Sequence, residues 1–108
     1  MWVPDPVDTS GVELPVEVEQ IVEILAANAH SVWGRERVQQ GWRSAGVRDD
    51  RTRTHSMLRA YREVPDEERE MDRILVTETL KAMMTMGFRF CPPPAGSSQP
   101  GVPVDPAP

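Results

Sequence analysis

Trp33 and Arg37 are four residues apart in a stretch with helical periodicity, so their side chains are neighbours on one surface. A flat aromatic beside a guanidinium can stack on a base and hold a phosphate. Projected at 100° per residue, the same face carries Ala26 and His30. An ordinary core tryptophan with Arg37 lying across it fits this spacing equally well. Further along the chain, Trp42, Arg48 and His55 add a second indole, a second guanidinium and an imidazole close to Asp49 and Asp50. The His55, Asp49 and Asp50 group has the residue types of acid–base chemistry, but loop histidines and acids are common. His30, His55 and Cys91 are too widely spaced for a metal-ligand motif. The chain contains no G-x-S-x-G, P-loop or G-x-G-x-x-G. Binding is therefore expected rather than catalysis, with no cofactor.

Two amphipathic segments must position these residues. Leu14-Pro15 opens the first, with Glu17 and Glu19 at the positive end of its dipole. It is expected to run to about Gln40 and stop at Gly41. Ile21, Ile24, Leu25 and Val32 make its apolar stripe. Asn28 falls inside that stripe, where it would need a partner from the N-terminal segment. Val64-Pro65 opens the second helix, followed by Asp66, Glu67 and Glu68. Met71, Ile74, Leu75, Thr79, Ala82, Met83 and Met86 give it a broad apolar face, and Gly87 ends it. Between the helices, Gly41 to Glu63 is long for a loop in a compact domain. The prolines of Pro4-Asp5-Pro6 make the N-terminal segment extended, packed across the helices and open to forming a short strand.

Composition bounds the rest. The chain has 108 residues and a formal charge of −5, which fits one small domain and argues against a general nucleic-acid coat. Its charge is segregated. Residues 1–27 hold six acids and no base, residues 28–62 hold eight arginines against three acids, and residues 63–86 hold seven acids against three bases. An arginine-only band inside an acidic protein points to a local anion site or to pairing with the acidic helices. One cysteine forms no internal disulfide, and neither a leader nor a run of apolar residues long enough to span a membrane is visible. A cytoplasmic protein is expected. Seven of the eleven prolines lie in residues 92–108, which read as a flexible tail after a domain over 1–91, with a partner protein as its one specific use.

An ordered series of motifs resembles the ryanodine-receptor repeat (RyR) domain. It comprises Pro4-x-Pro6-x-Asp8-Thr9-Ser10, Leu14-Pro15, Ala27-Asn28-x-His30-x-x-Trp33-x-x-x-Arg37, Gly41-Trp42, Arg48-Asp49, His55, Leu58, Tyr61, Glu68-Arg69-Glu70-x-Asp72-Arg73 and Thr79-Leu80-Lys81. The resemblance implies a mainly α fold with two principal helices, a long central loop and short extended N-terminal segments. It also implies a stand-alone chain of the bacterial or phage type. In the calcium-release channels, paired repeats hold adenine nucleotide between them, so the resemblance implies Trp33 as the stacking group and Arg37 and Arg48 as phosphate contacts. His30 and Trp42 complete the ligand-binding set, while Asn28, Asp8, Asp72 and Arg73 are expected to be structural. A single repeat is half of such a paired site, so a homodimer with Trp33 facing its copy is expected. The expected function is a non-enzymatic module that binds or senses an adenine-type or cyclic nucleotide. The alternative is a protein–protein interaction module, and an enzyme acting on a nucleotide is the third reading.

Overall fold

A computed structural model describes residues 1–91 and residue 93. The tail expected over 92–108 otherwise lies outside the described residues. The elements are α1 (Val16–Glu19), α2 (Val22–Gln39), β1 (Arg43–Ser44), β2 (Thr54–His55), a single 3-10 turn (Tyr61–Glu63) and α3 (Asp66–Thr85). The fold is mainly helical, with α2 packed against α3 and against the 3-10 turn. No described helix is long and apolar enough to cross a membrane.

Pro15 and Pro65 stand immediately before α1 and α3, and acidic residues fill both first turns. The single helix expected from Pro15 to Gln40 is interrupted instead at Gln20 and Ile21. There the Ile21 N–H turns back to Val18 at 3.1 Å in place of the i−4 ladder. Val16, Val18, Ile21, Val22 and Ile24 crowd this region with β-branched side chains, which weaken helix propensity. Both long helices end on a left-handed glycine, Gly41 at φ 91° and Gly87 at φ 103°. Each end carries the same paired closure. Gly41 N–H bonds Val38 and Trp42 N–H bonds Arg37, while Gly87 N–H bonds Met84 and Phe88 N–H bonds Met83.

The N-terminal segment forms no strand. It does reach α3, where Thr9 is buried and its hydroxyl donates to Glu78 at 2.8 Å. Asp8 shapes the turn before it by accepting from the Ser10 amide and hydroxyl, and those bonds hold its carboxyl below the usual range. The regular extended structure lies in the central loop instead, as a parallel pair with Arg43 opposite Thr54 and Ser44 opposite His55.

The apolar stripes read from the sequence face the core only in part: Ile21, Ile24 and Leu25 of α2 are half-buried, while most of the α3 stripe is exposed. The buried residues of α2 are Ala26 and His30, on the Trp33/Arg37 face, whereas Asn28 and Val32 are exposed. Asn28 therefore has no need of the expected N-terminal partner. Its side chain borders a shallow groove with Leu25, Ala29, Leu75 and Val76. On α3, Leu75 is 58% exposed and Met86 67% exposed, and Met71, Ile74 and Met83 are uncovered too. The half-buried stripe is Arg69, Asp72, Arg73, Val76, Leu80 and Met84. Thr77, Lys81 and Ala82 are half-buried beside it, so charged and apolar residues share the inward side and hydrophobic periodicity alone does not locate it. The fully buried apolar set is small: Leu14, Ala26, Tyr61 and Val64.

Ion pairs supplement this thin core. The Arg73 guanidinium bonds Glu23 of α2 at 2.6 Å, with Asp66 at 3.0 Å and Glu70 at 3.2 Å on its own helix. That network raises Arg73 above its ordinary value and holds the Glu23 carboxyl below its own. The Glu23 bond to Arg73 strengthens folding above the ordinary glutamate range and is lost as pH falls through the lowered value. The melting temperature should therefore drop on acidification, and Arg73→Leu should lower it at pH 7 and flatten its acid limb. Thermal melts of both proteins from pH 7 to pH 3 test this; parallel curves would show that the bridge carries no stability.

Candidate functional site

The closure at the end of α2 builds the first part of the site. Gly41 turns the chain so that the Trp42 amide bonds the Arg37 carbonyl at 2.9 Å, which folds the Trp42 indole back beside the last helical turn. The Arg37 guanidinium then lies between two indoles, 5.4 Å from the Trp42 ring centre and 5.9 Å from that of Trp33. Its one polar bond is to Gln40, at 3.2 Å, and no described carboxylate is within ion-pair distance. Arg48 reaches the Trp42 ring at 6.0 Å, but its Nε donates to Asp50 at 2.8 Å. The two arginines flank one indole, one free of acids and the other tied to Asp50.

The parallel strands deliver His55. Arg43 N–H bonds Arg53 and Ala45 N–H bonds His55, which lays β2 beside β1 and sets the His55 ring edge-on to Trp33 at 5.1 Å. His55 Nδ1 accepts the Met57 amide at 3.0 Å, so any ring proton sits on Nε2. Burial, followed by the charges of Arg48 and Arg37, pulls the His55 pKa down. The imidazole is neutral at neutral pH.

His30 is 8% exposed. Its Nε2 is 2.7 Å from the Arg59 carbonyl oxygen, and its ring stacks on Trp33 at 5.6 Å and tilts against Tyr61 at 6.0 Å. Beside these rings opens a cavity of about 200 Å³, lined by His30, Trp33, His55, Met57, Val64, Glu68, Met71 and Asp72. Burial raises the Asp72 carboxyl, with His30 opposing and Glu68 reinforcing the effect.

Trp33, Arg37, Trp42 and Arg48 thus come together as one aromatic–cationic cluster. His30 supports Trp33 and also borders the cavity. Asn28 stands apart from the site, and Arg73 and Asp8 serve packing and a turn. Asp72, expected to be structural, also lines the cavity. Sequence reasoning missed His55 as a wall of the Trp33 pocket, along with Met57, Met71 and Glu68. Glu68 and Asp72 at i and i+4 on a helix were the available signal. The loop register that brings in His55 and Met57 had none. Among the described residues, no group of three or more His, Cys, Asp or Glu could hold a metal, and Cys91 is exposed.

The RyR domain family model matches residues 2–92, and the chain belongs to that family.

The pull of two arginines on one imidazole is measurable. In an NMR titration, His55 should titrate below the ordinary value of 6.5, and Arg37→Ala should move its midpoint upward. An unchanged midpoint in Arg37→Ala would show that its charge does not reach the ring.

Proposed function

We propose that this RyR-domain protein binds a nucleotide without turning it over, with the base against Trp33 and the phosphates toward Arg37 and Arg48. One observation carries the reading. Arg37 lies against two indoles with no carboxylate partner, and one of those indoles, Trp33, lines a cavity. A guanidinium already partly stripped of water and not neutralised by acids is a ready partner for phosphate. Arg48 is held by Asp50 in an exposed pair, a weak bond that an incoming phosphate can displace. The family resemblance implies an adenine base, cyclic nucleotides included, but the polar groups of the cavity decide which base fits.

Stacking on an indole is worth roughly 1–3 kcal/mol per base. A charged hydrogen bond to phosphate adds about 1.5–3 kcal/mol. With association costs, micromolar affinity is expected. Titration calorimetry with ATP, GTP and cyclic AMP should give heat with at least one of them, and Trp33→Ala should weaken it roughly 5- to 150-fold. Arg37→Ala should weaken triphosphates more than nucleosides, and product assays should stay flat. No heat from any nucleotide at millimolar concentration would end the reading.

The bare stripe on α3 favours a second reading, association with protein. Leu75, Met83, Met86 and Phe88 are exposed large apolar side chains on or just after one helix, the kind of surface that a partner covers. A homodimer is the simplest occupant. Sedimentation should give about twice the 12.1 kDa chain mass, and Leu75→Glu with Met86→Glu should restore the monomer. A wild-type monomer at high micromolar concentration would exclude the dimer.

A further inference from the structure

Two of the polar groups that face the Trp33 cavity are carboxylates, beside the imidazoles of His30 and His55. Glu68 and Asp72 sit one helical turn apart on α3, and neither forms an ion pair with any described lysine or arginine. No arginine or lysine lines the cavity. His30 has one ring nitrogen engaged by the Arg59 carbonyl, and His55 has one engaged by the Met57 amide. Asp72 is half-buried, so its charge is held in the wall at a desolvation cost that no cation offsets. A guest that brings donors relieves that cost, whereas a guest that brings a lone pair adds to it.

Purine edges differ on this point. The guanine edge presents N1–H and the N2 amino group side by side, two donors spaced like the two oxygens of a carboxylate. The adenine edge presents an amino group beside N1, which is an acceptor. Against a carboxylate, guanine makes two charge-assisted hydrogen bonds, while adenine makes one and sets a lone pair against the second oxygen. From this placement we infer that the cavity selects guanine over adenine, with the base stacked on Trp33 and its N1–H and N2 amino group donating to the Asp72 carboxylate. The inference rests on the nucleotide reading above and names the base class for the same site. Phosphates of the bound guanine nucleotide then point away from Glu68 and Asp72 toward Arg37 and Arg48, which avoids like-charge contact.

The comparison needs three nucleotides and one variant. Inosine triphosphate keeps the N1–H but lacks the N2 amino group, so it reads one of the two bonds. Wild-type protein titrated by calorimetry should bind GTP at least tenfold tighter than ATP, with ITP between them. In Asp72→Asn the side chain gains a donor, so its amide matches the adenine edge, and the GTP-to-ATP preference should collapse or reverse. A thermal melt accompanies the variant. Because burial raises the Asp72 carboxyl, folding binds its proton more tightly, and the charged form weakens the fold as pH rises past the usual aspartate range. Asn should therefore match or exceed the wild-type melting temperature at pH 7, a gain that a purely structural aspartate would not show. Wild-type protein that binds ATP as tightly as GTP, with Trp33→Ala weakening both, would overturn the base assignment and leave nucleotide binding standing. Binding of none of the three would overturn both.

Discussion

The fold turns on one buried imidazole. His30 is held by the Arg59 carbonyl at 2.7 Å, stacks on Trp33 and leans on Tyr61, so a single side chain of α2 ties the helix to the loop and to the turn before α3. Small domains bury a modest share of their surface, and this one has four buried apolar residues among those described. An interior with so little aliphatic packing depends on directional contacts. A hydrogen bond from a buried ring fixes the position of the loop in a way that a leucine in the same place would not. The same bond holds the ring that supports Trp33, so the stability of the central loop and the orientation of the candidate site share one cause.

A second tie lies beside it. Tyr61 is buried beneath Arg69, whose guanidinium carbon is 5.8 Å from the ring, while burial and the adjacent Glu23 carboxylate push the phenol up to about 12. Glu23 in turn receives Arg73 from α3. Exposed ion pairs contribute little singly, but here one guanidinium answers three carboxylates on two helices. The charge segregation noted along the chain is therefore partly internal. The acids of residues 1–27 and the bases of 63–86 meet at Glu23 and Arg73, while much of the arginine band between them stays at the surface.

The sequence made the two helices legible because Pro15, Pro65, Gly41 and Gly87 are strong local signals that tertiary contacts had no reason to override. The pair Trp33 and Arg37 was legible for the same reason: helical spacing alone makes them neighbours. The direction in which each helix faces was not. Hydrophobic periodicity assumes that the inward stripe is the apolar one. On α3 that stripe holds Asp72 and Arg73, and on α2 it holds His30; Arg73 and His30 are satisfied by partners distant in sequence. Asn28 misled for the complementary reason, an apolar neighbourhood that in fact faces outward. The parallel pairing of residues 43–44 with 54–55 rests on Arg53 at φ 55° and on its guanidinium bonding the Gln40 carbonyl, neither of which has a local signature. His55 and Met57 could not be placed without it.

Polarity across the Trp33 ring is what distinguishes the site from a generic aromatic cluster. Arg37 and Arg48 lie toward Trp42, and Glu68 and Asp72 lie on the cavity side. A ligand uniform in charge would be attracted by one end and repelled by the other. A ligand with an anionic end and a donor-rich planar end is oriented by both, and the misoriented pose is disfavoured twice, by phosphate against carboxylate and by base donors against guanidinium. A neutral His55 suits both ends, because a charged imidazole there would weaken the acidic end and crowd the basic one. Burial lowers the His55 pKa most, and the Arg48 and Arg37 charges that would orient the guest lower it further.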